Sequence, residues 1–196
     1  VAVGSRYFAG TTVKIGRVRV FRLNGTSWGQ VGQDLDGIAS SDQFGWSVAL
    51  SSSGNIVAGG APDNDDSGDG AGHVRVFNLT GNTWVNIGKP IVGKAAGDRF
   101  GIFLDLSSDG LTMASGGDWN DGDGTKPKAG VLQVWRFTGT DWQQVGQNLD
   151  GVGEADQFGY SGALSGDGKT VAGGGFFNDN NNSDNAGHVR VFTRED

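Results

Sequence analysis

Short runs of alternating apolar and polar residues, cut by clusters of Asp, Asn, Ser and Gly, cover the chain from end to end, and no stretch carries a helical apolar period over eleven residues. Phe44 to Ser51 predicts a first strand, Ser52-Ser53-Gly54-Asn55 a tight turn, and Ile56 to Gly60 a second strand. Ser108-Asp109-Gly110 and Gly166-Asp167-Gly168 stand where that turn returns. Asp and Gly tolerate the positive φ that short hairpin turns require. A long polar loop leads to a third strand, His73 to Phe77, with Val74 and Val76 on one face and His73, Arg75 and Phe77 on the other. A fourth is predicted from about Trp84 to Ile91. The chain reads as all-β.

The pattern repeats. Asp42-Gln43-Phe44-Gly45 returns as Asp98-Arg99-Phe100-Gly101 and Asp156-Gln157-Phe158-Gly159, and Trp28, Trp84 and Trp142 keep the same spacing. A third series is Gly16-Arg17-Val18-Arg19-Val20-Phe21, Gly72 to Phe77, Gly130 to Trp135 and Gly187 to Phe192, with Arg19, Arg75 and Arg190 mid-strand and Gln133 in the remaining place. Three landmark sets on one period define a repeat array. The units are 1–41 (strands two to four), 42–97, 98–155 and 156–196 (strands one to three). Units of about 57 residues with four antiparallel strands suit the blades of a β-propeller. A β-solenoid has shorter, parallel coils and fits the hairpin turns poorly. With an incomplete first and last unit, the chain is expected to be a segment of a larger propeller, the other blades coming from the parent chain or neighbouring subunits; open blade faces and strand edges would otherwise be an aggregation hazard.

Glycine fits this geometry. There are 37 in 196 residues, against a usual share of about 7%. Gly59-Gly60, Gly116-Gly117 and Gly173-Gly174-Gly175 end second strands, where close backbone approach leaves no room for a Cβ.

Phe44-Gly45 followed by Gly60-Ala61-Pro62 resembles the FG-GAP repeats of the integrin α-subunit propeller and its bacterial and algal relatives. The later units keep Phe-Gly but carry Gly116-Gly117-Asp118 and Gly174-Gly175-Phe176 instead of Gly-Ala-Pro. The resemblance implies a propeller of about seven blades, extracellular or at the cell surface, in adhesion or ligand binding; it does not imply an enzyme, although some relatives attach such propellers to hydrolase domains. It does not lend calcium to the connection between first and second strands, which is here only a tight turn such as Ser107-Ser108-Asp109-Gly110.

Composition removes several function classes. With no cysteine there is no disulfide framework, thiol nucleophile or Cys-based zinc site. A net charge of −7 argues against nucleic acid or an anionic membrane as the main partner. No apolar run is long enough to span a bilayer as a helix. No Gly-x-Ser-x-Gly, Walker loop or His-Glu-x-x-His is present. His73 and His188 share a repeat position held elsewhere by Arg17 and Val131, and are expected on a solvated strand.

Candidate chemistry gathers in the loops between second and third strands, which blade symmetry places on one rim. Asp63, Asp65, Ser67 and Asp69, and Asp118, Asn120, Asp121 and Asp123, offer hard oxygens for calcium, although the expected bidentate Glu is replaced by Val74. The bland alternative is a set of solvated Asx turns. The first unit's loop is instead basic and aromatic, with Tyr7 and Phe8. Together with the non-recurring Trp46 and Trp119, these two are candidates for contact with a protein partner or a glycan. The recurring residues are expected to be structural. Phe44, Phe100 and Phe158 carry the repeat signature, Trp28, Trp84 and Trp142 pack between blades, and Asp42, Asp98 and Asp156 cap a turn or pair with backbone N–H groups or with the recurring Arg. Asn24, Asn78 and Asn181 head glycosylation sequons, which permit a secretory route. The leading expectation is a non-enzymatic interaction or adhesion module; a lectin-like propeller and a scaffold subunit of a larger complex or filament are the alternatives.

Overall fold

A computed structural model describes residues 1–9, 14–122, 124–179 and 185–195. Among these there are strands and turns and no helix. The strands fall into four antiparallel sheets, one per repeat. The first holds β1 (Ala2–Ser5), β2 (Arg17–Asn24), β3 (Ser27–Gln30) and β4 (Leu35–Asp36). The second holds β5 (Ser47–Leu50), β6 (Ile56–Ala61), β7 (His73–Thr80), β8 (Thr83–Asn86) and β9 (Ile91–Val92). The third repeats this layout with β10 (Phe103–Leu106), β11 (Thr112–Gly117), β12 (Val131–Phe137), β13 (Trp142–Gln144) and β14 (Leu149–Asp150). The fourth holds β15 (Ser161–Leu164), β16 (Thr170–Gly175) and β17 (His188–Thr193). This is a segment of a β-propeller, built of meandering blades laid face to face.

One expectation changes. Residues 84 to 91 do not form a single fourth strand. β8 ends at Asn86, Gly88 turns the chain with φ +71°, and β9 pairs with the same β7 further along. The break serves packing, since a Cβ on Gly88 would run into the Trp142 indole of the next unit.

The apolar faces of β2, β7 and β12 close against the following sheet. Val18, Phe44 and Val57 are fully buried in one inter-sheet core, Val74, Ala58 and Met113 in the next, and Leu132, Phe158 and Ala114 in the third. The end units leave the equivalent surfaces uncovered: Val189 and Val191 on β17, and Val3 and Trp28 in the first sheet.

The Phe-Gly pair joins neighbouring sheets. Phe44 bridges Gly16, Phe100 bridges Gly72 and Phe158 bridges Gly130, each in parallel across a unit boundary. The residue before each Phe (Gln43, Arg99, Gln157) and the Gly after it hold positive φ, and each Phe ring is buried between the sheets. The Gly carbonyl, on Gly45, Gly101 or Gly159, lies against the Cα of Gly4, Gly60 or Gly116 in the preceding unit's second strand. Any Cβ there would collide with backbone, which cannot yield as a flexible side chain can. Gly60→Ala and Gly116→Ala are each expected to destabilise the fold by about 1–3 kcal/mol or more. Gly29→Ala, whose Cβ meets nothing within 4 Å, should change stability by less than about 0.5 kcal/mol; urea midpoints of the three variants check this.

Candidate functional site

The loops from second to third strand leave the sheets at one end and rest on a repeated polar frame. Asp42 Oδ2 accepts the backbone N–H groups of Ile38 (3.2 Å) and Ala39 (2.8 Å). Asp98 Oδ2 accepts those of Lys94 and Ala95, both at 2.9 Å, and Asp156 Oδ2 those of Val152 (3.0 Å) and Gly153 (2.6 Å). Asn64 and Asn178, buried, donate through Nδ2 to Asp42 (3.1 Å) and Asp156 (3.0 Å). The same Asn position, Asn120 included, accepts the main-chain N–H that opens the third strand, at Gly72, Gly130 and Gly187. The recurring arginines do not meet these carboxylates. Arg75 Nη2 donates to the Asp36 carbonyl (2.5 Å) and Arg190 Nη1 to the Asp150 carbonyl (2.7 Å), while their guanidinium groups lie over Phe44 and Phe158. Arg19, on the exposed side of β2, pairs with Asp34 at 2.8 Å.

Upon this frame stands a row of alternating cations and aromatic rings that crosses three units. Lys14 Nζ is 5.3 Å from the Tyr7 ring centre, and Arg6 lies 4.6 Å from Tyr7 and 4.0 Å from Trp46. Arg99 lies 5.6 Å from Trp46 and 4.8 Å from Trp119, and Lys128 Nζ is 4.3 Å from Trp119. Each such contact contributes about 0.5–1 kcal/mol at an exposed site, and more where water is excluded. Tyr7 and Trp119 remain exposed. Phe8 is half-buried under the Arg17 guanidinium, 3.6 Å from its ring centre, and stands apart from the row. Beyond Trp119 an open cleft runs between residues 94–98 and 119–128. In the fourth unit Tyr160, Phe176 and Phe177 form a second exposed aromatic group, with ring centres 4.8 and 4.1 Å apart.

Carboxylates anchor the row from below. Arg99 Nη1 bonds Asp118 Oδ2 at 3.2 Å, and Arg99 Nε lies 3.8 Å from Asp63, whose Oδ2 also accepts Gln43 Nε2. Burial raises the Asp118 carboxyl to about 6 against the opposing pull of Arg99, and burial also pushes Asp63 up. Arg99 therefore ties two units together through one cation, two carboxylates and two indoles.

The acidic loops take the form of turns held by their own side chains. Asp65 Oδ1 accepts the Gly70 N–H (2.7 Å), Ser67 Oγ donates to the Gly93 carbonyl (2.7 Å), and the Asp69 carbonyl accepts the Gly97 N–H (2.8 Å). Asn120 Oδ1 accepts Gly122 N–H (2.8 Å), and Asp121 Oδ1 accepts Lys128 N–H (2.9 Å). Asp123 and Asn181 lie outside the described residues. Among the described residues, no three acidic or imidazole side chains converge in a metal-holding group. Asn24 is exposed at a strand end and Asn78 is half-buried in β7.

His73 corrects an expectation, because it is fully buried rather than solvated. Its Nδ1 lies 3.4 Å from Asp66 Oδ2, and burial lowers its pKa. The loop folds back over β7 and covers a position that is open on a two-sided strand. The recurring tryptophans differ by place: Trp84 and Trp142 are buried against the preceding unit and Trp28 is exposed. Arg99 and Lys128 are the residues that sequence reasoning passed over, while Arg6 belongs to the first-unit loop whose basic and aromatic character stood out. Arg99 had a visible signal, since it alone breaks the Gln of the Asp-x-Phe-Gly series.

With this geometry in view, comparison with known proteins places the chain among β-propellers. The FG-GAP repeat matches residues 35–77, the span that includes Asp42, Phe44-Gly45, Gly60-Ala61-Pro62 and the start of β7. No curated protein matches the sequence. A crystal structure of a proposed 6-phosphogluconolactonase from Bacteroides uniformis is similar over 83% of this chain and 42% of its own, with 14% identity and a TM-score of 0.50. The tricorn protease is similar over 90% of this chain and 17% of its own, at 11% identity and a TM-score of 0.45. The chain thus spans less than half the length of either, and the likeness to the first is one of fold.

Two outcomes test the site's framework. Asp98→Ala leaves the Lys94 and Ala95 N–H groups without their acceptor and should cost about 1–3 kcal/mol in chemical denaturation. The Asp118 carboxyl, raised from 3.8 to about 6, binds its proton more tightly in the folded state than in the unfolded chain. Its contribution to stability is therefore present below pH 4 and lost as pH rises through about 6. Between those values, wild-type stability should fall relative to that of Asp118→Asn, as read from denaturation midpoints along a pH series.

Proposed function

We propose that this chain is a non-enzymatic interaction module of a β-propeller, and that it holds a protein partner through the rim row Tyr7, Arg6, Trp46, Arg99 and Trp119. The observation that carries this reading is the composition of the row. Trp, Tyr and Arg dominate the energetics of protein interfaces, where large rigid rings and planar guanidinium groups bury much area at little conformational cost. The row stands on a frame of buried Asp and Asn, so its members are positioned before contact. The glycan alternative is less well supported. Two cations lie within 6 Å of each indole, Arg6 and Arg99 at Trp46 and Arg99 and Lys128 at Trp119, on rings whose faces a sugar would need.

The non-enzymatic reading draws support from His73, whose burial keeps it from any substrate, and from repetition of the same polar frame in successive units, as befits scaffolding. The FG-GAP repeat over residues 35–77 favours a site outside the cell or facing a lumen. Calcium in the loops of Asp63 to Asp69 and Asp118 to Asp123 remains a secondary proposal, which calcium titration of the folded chain tests directly.

The test of function compares wild type with the Tyr7→Ala/Trp119→Ala double variant, both substitutions being at exposed rings. Affinity capture from native extracellular material should recover a protein from the wild type, and the double variant should lose it while still folding, as shown by a single cooperative melting transition at a somewhat lower temperature. The purified partner should then bind the wild type at least tenfold more tightly. Equal capture by both forms, or glycan-array binding that the double variant abolishes, would overturn the protein-partner reading.

A further inference from the structure

The junction between the second and third units carries on its rim a cleft of about 580 Å³, a size suited to a small ligand or a single side chain. Both sheets beside it have five strands. Three exchanges along the repeat account for the space. In the junction before it, Asp66 meets the buried His73 ring, and Arg75 reaches across to the Asp36 carbonyl of the preceding unit. In the third unit those places hold Gly122, Val131 and Gln133. Gly122 N–H bonds the Asn120 amide oxygen as Asp66 N–H bonds that of Asn64, which fixes the correspondence. Gln133, shorter than an arginine, donates instead to Asn148 Oδ1 of its own unit, at 2.9 Å.

Three polar residues of the lining have hydrogen-bonding capacity left over. In the second and fourth units, Asn64 and Asn178 donate through Nδ2 to Asp42 and Asp156. Asn120, nine-tenths buried, makes no such bond to Asp98 among the described residues. Its Oδ1 accepts the Gly122 N–H at 2.8 Å, so its NH2 end is the free one. Asn148 Oδ1 accepts from both Gln133 Nε2 and Gln144 Nε2, each at 2.9 Å, and this too leaves the NH2 end free. Asp98 accepts the Lys94 and Ala95 N–H groups through Oδ2, and its Oδ1 remains available. Asp98, Asn120 and Asn148 all line the cleft, which therefore offers two amide donors and one carboxylate acceptor.

We propose that this cleft receives the carboxamide of an Asn or Gln side chain of the protein partner, its oxygen accepting from Asn120 and Asn148 and its NH2 donating to Asp98 Oδ1. The proposal rests on the protein-partner reading for the source of that side chain. A carboxamide oxygen has two lone pairs and its nitrogen two protons, which matches the groups on offer. A carboxylate would accept from both amides but would also face Asp98, and an ammonium or guanidinium group has no acceptor for the amides. A hydroxyl must meet all three groups from a single atom, whereas a carboxamide divides them between two. The charged side chains of the lining balance among the described residues, Lys94 and Lys128 against Asp98 and Asp121, which favours a neutral occupant. Lys128 and Arg99 already lie over Trp119, at 4.3 and 4.8 Å, so the indole forms a wall and the polar groups select what enters.

The test is an NMR titration of the full 196-residue protein with N-acetyl-L-glutamine methylamide, N-acetyl-L-glutamate methylamide and N-acetyl-L-serine methylamide. The glutamine probe should shift the side-chain NH2 signals of Asn120 and Asn148 saturably, with a dissociation constant of about 1–10 mM for so small a ligand. The glutamate and serine probes should bind about tenfold more weakly or worse. Asn148→Asp keeps the oxygen that Gln133 and Gln144 bond and removes the donor. The first unit carries Asp34 at this place, bonded to Gln30 and Arg19, so the variant should keep a cooperative melting transition. It should weaken the glutamine probe about tenfold or more. No shift at either amide, equal binding of the three probes, preference for glutamate or serine, or equal binding by Asn148→Asp would each overturn the proposal. The probes bind without a captured partner, so failure here leaves the rim-row reading intact. Failed capture beside a positive probe result overturns only the source assigned to the side chain.

Discussion

Between each pair of neighbouring sheets, the carbonyl of the Phe-Gly glycine rests on the bare Cα of a glycine in the preceding unit's second strand, while the Phe beside it enters the core between them. The spacing of the sheets depends on that contact. It brings Val18, Val74 and Leu132 within reach of the next unit's Phe and closes three apolar cores. The positive φ at Gln43, Arg99 and Gln157 is part of the same arrangement, a local backbone cost that the surrounding packing offsets.

Two kinds of residue share the loops as a result. The buried Asp and Asn of the frame are alike from unit to unit because each must satisfy the same main-chain donors and acceptors. The residues above them are free to differ. Position 46 is Trp, whereas 102 is Ile and 160 is Tyr; positions 62 and 63 are Pro-Asp, whereas 118 and 119 are Asp-Trp and 176 and 177 are Phe-Phe. The row from Tyr7 to Trp119 arises where this variation places cations and rings side by side. Its chemistry belongs to the assembled surface rather than to any single repeat.

The repeats, the blade architecture, the hairpin turns and the meaning of the second-strand glycines were legible in the sequence, because each rests on periodicity or on a residue's own backbone preference. The candidate aromatic residues Tyr7, Trp46 and Trp119 were legible as exceptions to the repeat. Their cationic partners were not, because Arg6 and Arg99 reach Trp46 only when the blades stack, and Lys128 reaches Trp119 only through the tertiary fold of its own loop. The burial of His73 was hidden for a similar reason: strand alternation assigns it a face, but the loop that covers that face comes from tertiary structure. The broken fourth strand escaped notice because Gly88 answers to an indole in another unit.

The same junction geometry at every boundary has a consequence for how such a chain can grow. Because the surface a sheet shows to its successor matches the one its predecessor showed to it, the junctions do not record which unit is which. A gene that copied a stretch of 56 to 58 codons would yield a unit whose main-chain boundary contacts were already compatible, while side-chain contacts particular to one junction, such as Arg99 with Asp63 and Trp46, would still have to be matched. Length in this architecture can drift by whole blades, and novelty is then confined to the loops.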